Sequence, residues 1–261
     1  MTLRVLDLFS GIGGFSLGLE RAGMQTVAFC EIDKHAQQVL KRHWPDVPIF
    51  EDVKQINSKG LQSYGVESID VITGGFPCQD LSSAGQRAGI YGERSGLWGE
   101  LFRIMCDIRP KYMLFENVTG LLTGEGGRWF DRLLCDMATS GYILEWESIP
   151  ASSIGAPHHR DRAYGVAYPS EGGWRGIFSQ AGLTCKRNMG NDQWVDWLGC
   201  GEGAWANWQA ETTGLLFGKP IIARKNDGFS SWVDRNSRLG NAVVPQIPEI
   251  IGRAIMAAEG F

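Results

Sequence analysis

The sequence predicts an α/β fold, a mostly parallel sheet wrapped by crossover helices. Three observations carry that expectation. Short β-branched runs alternate with helical patterns over the first 170 residues, a glycine-rich turn follows the first strand directly, and glycine or proline punctuates the helical stretches. RVLDLF at 4–9 is the first strand and runs through Ser10-Gly11-Ile12-Gly13-Gly14 into a helix over 14–22, which Gly23 closes. TVAFCEI at 26–32 is the second strand, followed by a helix over 34–43 that stops before Pro45. IDVITG at 69–74 precedes a long glycine-punctuated loop and a helix over 95–108, stopped before Pro110. KYMLFE at 111–116, a helix over 128–140 closed by Gly141, then ILEWESI at 143–149 and RAYGVAY at 162–168 complete the pattern. From 169 the texture changes, with ten glycines, five tryptophans and little periodicity as far as 225. A last helix over 245–259 starts at Pro245 and carries Ile247, Ile250, Ile251, Ala254 and Ile255 at helical spacing. The expected organisation is a catalytic and cofactor-binding domain at 1–168, a small target-recognition region at 169–223, and a return segment at 224–261 that completes the first domain.

With 43% hydrophobic and 21% charged residues in 261, the composition is that of a globular protein and excludes a disordered or fibrous one. No apolar run approaches the ~18 residues that cross a bilayer. The start, MTLRVLDLFSGIGG, lacks the parts of a secretory signal, so a cytoplasmic protein with no membrane partner is expected. Six cysteines, at 30, 78, 106, 135, 185 and 200, show no CxxC or CxxH spacing; no metal site is expected. Net charge is -4, but residues 151–245 hold ten Lys and Arg against eight Asp and Glu. The later half is therefore the better candidate to meet phosphates.

The candidate chemistry gathers at strand ends. Gly11 and Gly13 let the backbone approach a ligand at a helix start, Glu31 is placed to accept from ribose hydroxyls, and Asp52 could receive an adenine amino group. Position 16 is Ser, so the turn is not GxGxxG, which counts against a nicotinamide dinucleotide. Cys78, in Gly75-Phe76-Pro77-Cys78-Gln79, lies just past a strand's carboxyl end, where Pro77 restricts the direction of the thiol. Glu116 and Asn117 end another strand on the same edge, where a partly buried carboxyl is a candidate proton donor. Arg160 and Arg162 alternate, so in an extended segment they share a face. Trp194, Trp197, Trp205 and Trp208 fall in two i,i+3 pairs, as the mini-core of a small lobe or as groups that stack on bases.

Seven segments, in order, resemble the cytosine-5 DNA methyltransferases of the compact bacterial and phage type: DLFSGIGGFSLGLERAG (7–23), CEID (30–33), EDV (51–53), GGFPCQDLS (74–82), ENVTGLL (116–122), GAPHHRDR (155–162) and RLGNAVVPQIPEIIGRAI (238–255). The resemblance implies a Rossmann-like class I methyltransferase with S-adenosyl-L-methionine as cofactor and double-stranded DNA as substrate. It makes Phe9, Gly11 and Gly13 part of the cofactor cradle, with Glu31 on the ribose, Ile32 packed on adenine and Asp52 on the adenine amino group. Cys78 becomes the nucleophile, Glu116 the contact to cytosine N3 and the exocyclic amine, and Asn117 a positioner of the Pro77-Cys78 loop. Arg160 and Arg162 match the family's active-site arginines, and Asn241 matches a residue that joins the two lobes beside the cofactor. His158 stands where many members carry Gln. Arg87, Arg94, Arg224 and Lys225 are candidates for phosphate contacts, with an ordinary solvated surface charge as the alternative for each. A cognate restriction endonuclease is a further partner such an enzyme could have, and the sequence sets no oligomeric state. The rivals are a tRNA cytosine-5 methyltransferase using the same cysteine chemistry, a catalytically silent DNA-binding protein that responds to S-adenosylmethionine, and, more remotely, a nicotinamide enzyme.

Overall fold

The computed structural model describes residues 2–76, 96–156, 159–183 and 242–261. Pro77, Cys78, Arg87, Arg94, His158, Arg224, Lys225, Asn241 and the tryptophans at 194, 197, 205 and 208 lie outside the described residues.

Seven strands form one sheet: β1 (Arg4–Leu8), β2 (Gln25–Cys30), β3 (Ile49–Phe50), β4 (Val71–Gly74), β5 (Tyr112–Val118), β6 (Tyr142–Pro150) and β7 (Asp161–Pro169), in the order β3-β2-β1-β4-β5-β7-β6. The neighbours among β1 to β5 pair in parallel, while β7 runs antiparallel between β5 and β6. All six strands expected from the sequence are present, and so is the mostly parallel sheet. The direction of β7 departs from the wholly alternating pattern for a simple reason. Only about ten residues separate β6 from β7, too few for the crossover a parallel return requires.

The helices are α1 (Gly14–Arg21), α2 (Lys34–His43), α3 (Ser58–Ser63), α4 (Gly96–Ile108), α5 (Gly120–Thr123), α6 (Arg128–Thr139), α7 (Ile177–Gln180) and α8 (Gln246–Ala258). Their ends follow local chemistry. Asp33 caps α2 by accepting from the backbone N–H groups of His35 and Ala36. Gly23, at φ 96°, lets α1 end with Gly23 and Met24 donating back to Glu20 and Leu19. The short elements β3, α3, α5 and α7 have too few residues to show a period in sequence.

Strand alternation divides the core between two faces. Leu6, Leu8, Ile72, Met113 and Phe115 face α4 and α6, meeting Leu101, Ile104, Phe130 and Leu133. Val5, Val71, Leu114 and Val166 face the other side, where Phe15 and Leu19 of α1 and Ile247, Ile251 and Ile255 of α8 pack. Ile177, Phe178 and Leu183, just past β7, are buried in this second core. The return segment thus sits on the first helix of the chain. Among the described residues no helix is long and apolar enough to cross a membrane.

Candidate active site

Among the described residues, the carboxyl ends of β1, β2, β3 and β5 bring Phe9, Gly11, Gly13, Glu31, Asp52 and Glu116 to one edge of the sheet. Past β1 the backbone turns through Phe9 (φ 53°), Gly11 (φ 54°) and Gly13 (φ 87°), the left-handed region that glycine enters without strain. A side chain at Gly13 would also strike the Trp44 ring, 2.7 Å from where a Cβ would sit, whereas at Gly11 nothing lies within 4 Å. The turn is therefore packed from below and open above. Glu31 spans it: Oε2 accepts from the Gly11 N–H at 2.7 Å and Oε1 from the Asp33 N–H at 2.7 Å. Each carboxylate oxygen has a further lone pair for an incoming hydroxyl. Ile32, directly after it, is an apolar side chain left 78% exposed, and the Asp52 carboxyl accepts from the Lys54 N–H at 2.9 Å. The open turn, the ribose-type acceptor, the exposed apolar surface and the second acid fit an adenosyl group.

Glu116 near the end of β5 is 7% exposed. Its Oε1 lies 3.1 Å from Arg162 Nε, an ion pair without hydrogen-bond alignment, so this buried oxygen has no hydrogen-bond partner among the described residues. Burial pushes the carboxyl above its ordinary range against the pull of Arg162 and Arg160. Burial also lowers Arg160, and the neighbouring Arg162 cation lowers it further. The antiparallel β7 makes this cluster possible, because its register sets Arg162 opposite Val118 and Tyr164 opposite Glu116. Tyr164, which sequence reasoning passed over, is fully buried there, its phenol held well above its ordinary range by burial and then by the Glu116 charge. Its apolar surroundings in the strand RAYGVAY gave no signal that it faces an acid.

Between cradle and acid run Gly75 and Phe76. A Cβ at Gly75 would lie 3.6 Å from Glu116 Oε2, 3.8 Å from Phe15 and 3.9 Å from Val243. The chain entering Pro77-Cys78 therefore passes through the junction of the acid, the first helix and the return segment. Asn117, also buried, donates from Nδ2 to the Phe76 carbonyl at 3.2 Å while its Oδ1 accepts from the Val118 N–H at 2.9 Å. Among the described residues no group of three or more His, Cys, Asp and Glu is arranged to hold a metal ion.

Residues 3–191 match the family model of the C-5 cytosine-specific DNA methylases, well over half of the chain. The Type II methyltransferase M2.BsuMI of Bacillus subtilis is 37% identical over 182 residues, which are 68% of this chain and 45% of that protein. M.Eco47II of Escherichia coli is 38% identical over 165 residues, 62% of this chain and 39% of that protein. An E. coli prophage-encoded protein described as a DNA modification methyltransferase superposes with a TM-score of 0.56 at 29% identity, covering 64% of this chain and 47% of that one. The chain thus spans less than half the length of these relatives. A sheet edge that joins a glycine-turn cradle to a buried acid and its arginine, together with a family match across most of the sequence, places the chain in the C-5 cytosine-specific DNA methylase family.

Proposed function

We propose that the chain is a site-specific DNA (cytosine-5)-methyltransferase that uses S-adenosyl-L-methionine and acts on double-stranded DNA in the cytoplasm. The observation that carries this reading is the Glu116 carboxyl, buried and ion-paired through Oε1 with Arg162, with Oε2 turned toward Gly75 in the backbone that leads into Pro77-Cys78. A buried carboxyl held by an arginine suits the Watson–Crick edge of a base taken out of its stack.

Carbon 5 of cytosine is a poor nucleophile. The Cys78 thiolate adds to carbon 6, and the ring electrons move to make carbon 5 nucleophilic. Glu116 donates to or protonates N3, stabilising the charge that develops on the ring, and accepts from the exocyclic amine. Arg162 holds Glu116 in place and Arg160 adds positive charge alongside, while Asn117 fixes the chain at Phe76 and so the approach of Pro77 and Cys78. Phe9, Gly11, Gly13, Glu31, Ile32 and Asp52 would hold the cofactor, together with Asn241 as the resemblance implies. When bound, S-adenosyl-L-methionine would supply an electrophilic methyl group on a sulfonium, whose S–CH3 bond breaks on transfer and leaves the neutral thioether S-adenosylhomocysteine. After carbon 5 has taken the methyl, a base removes the carbon-5 proton and the Cys78 thiolate is expelled, which restores the aromatic ring. Residues within 169–223 read the target sequence in this scheme. Partner identity beyond DNA, a restriction endonuclease included, does not enter it.

The test offers the purified chain labelled S-adenosyl-L-methionine with duplex DNA and with tRNA in parallel. Label in 5-methylcytosine of the duplex is the expected result. Label in tRNA alone would replace this reading with the RNA enzyme. Cofactor and DNA binding without transfer would replace it with the silent regulator.

A further inference from the structure

Beneath the glycine turn lies an ionisable side chain that the reaction above leaves unused. Asp7, on β1, is completely buried, at a position whose alternation partner is Val5 in the second core. Its Oδ2 accepts from Ser16 Oγ of α1 at 2.7 Å, and its Oδ1 accepts from Thr73 Oγ1 of β4 at 2.7 Å. The Thr73 arm is set by the sheet itself, since Asp7 and Thr73 are register partners on adjacent parallel strands. Thr73 pairs in turn with Leu114 of β5, two residues before Glu116, so the group shares a face with the catalytic acid. Burial pushes the Asp7 carboxyl up to about 7, against the pull of the two hydroxyls and with a smaller push from Glu31. Three aliphatic side chains would fill the same space without that desolvation cost. What the polar group adds is a fixed two-armed geometry.

The two arms lead to different halves of the site. Ser16 lies in the first turn of α1, directly behind Gly13 and Gly14 of the cradle. Thr73 precedes Gly74, Gly75 and Phe76, which deliver Pro77-Cys78. We infer that Asp7 is a positioning residue that ties the cofactor turn, through Ser16, to the strand carrying the nucleophile, through Thr73, and so sets the separation of methyl donor and acceptor. Transfer between bound groups needs the reacting atoms about 3–3.5 Å apart, and a small misplacement is costly. The inference rests on the methyl transfer proposed above.

The experiment compares Ser16→Ala, Thr73→Val, Thr73→Ser and Asp7→Asn in the full chain. It measures S-adenosylmethionine affinity by calorimetry without DNA, the single-turnover methylation rate of duplex DNA at saturating cofactor, and the melting temperature. Ser16→Ala is expected to weaken cofactor binding about tenfold while the saturated rate stays within about twofold, as loss of one buried hydrogen bond on that arm predicts. Thr73→Val is expected to leave cofactor affinity within about twofold and slow single turnover by about tenfold or more, and Thr73→Ser to restore the rate. Asp7→Asn should move both quantities. Variants that melt lower yet keep the parent affinity and rate would show a purely structural group and overturn the inference, as would Ser16→Ala and Thr73→Val moving the same quantity. If Thr73→Val does not fold, the Ser16→Ala split decides alone. Absence of transfer by the parent chain would count against the proposed reaction instead, because the calorimetric arm for Ser16 remains readable without it.

Discussion

Glu116 sits under opposing influences: burial drives its carboxyl toward the neutral acid, and two arginines draw it toward the anion, with burial the larger. The sign of the result matters for chemistry. A carboxyl raised above its ordinary 4.5 keeps a transferable proton to higher pH, so catalysis that uses the protonated form declines as pH rises through that raised value. Glu116→Gln has no proton to lose. We expect it to lower the single-turnover rate by about 10²-fold, to abolish that alkaline decline and to leave cofactor affinity at the parent value. Rates measured across pH for both proteins check this, and an unchanged decline in the variant would assign the titration to another group. At this scale the sequence was informative for residues at strand ends, because a polar residue just past an apolar run on the ligand-binding edge has few structural duties. The positions of Glu31, Glu116 and Asn117 at strand ends were legible for that reason, and Arg160 and Arg162 stood out by their alternation at the start of β7. Asp7 was not, since an acid inside RVLDLF reads as a solvent-facing alternation until the coordinates show both of its oxygens met by hydroxyls from other elements.

At the scale of elements, the contact that closes the fold is α1 against the return segment and α8. A Cβ at Gly18 would lie 2.2 Å from the Pro245 carbonyl oxygen and 2.9 Å from the Glu249 nitrogen, and one at Gly14 would lie 2.5 Å from the Val243 carbonyl oxygen. Backbone cannot yield as a flexible side chain can. In an isolated helix Gly→Ala gains about 1 kcal/mol of helix propensity. Here the overpacking, about 1–3 kcal/mol, opposes and outweighs it. Gly18→Ala is therefore expected to lower stability, by up to about 2 kcal/mol, in denaturant titration. A stabilised variant would mean that the return segment is displaced from α1 in solution. The long elements were legible from periodicity and from their closing Gly and Pro residues. The direction of β7 was not, because an apolar run carries no sign of its polarity in the sheet, and only the shortness of the β6–β7 link could have revealed it. That missed reversal is also what brings Tyr164 opposite Glu116.

For the molecule as a whole, the sheet separates two cores yet gathers Phe15 of the first helix, Glu116 and Val243 of the return segment around Gly75, where three parts of the chain distant in sequence come within 4 Å of one point. In the reaction proposed above, the methyl donor and the base lie on opposite sides of the entry to Pro77-Cys78. Its central claim is covalent attack by Cys78 on an extruded cytosine. Duplex DNA carrying 5-fluorocytosine at the methylated position tests it most directly, because fluorine at carbon 5 leaves no proton to remove after methyl transfer. Incubated with S-adenosyl-L-methionine, the protein is expected to form a denaturant-stable adduct whose peptide map places the bond at Cys78, and Cys78→Ala is expected to form none. A preparation that methylates ordinary cytosine but yields no adduct, or yields one through a different residue, would contradict the account.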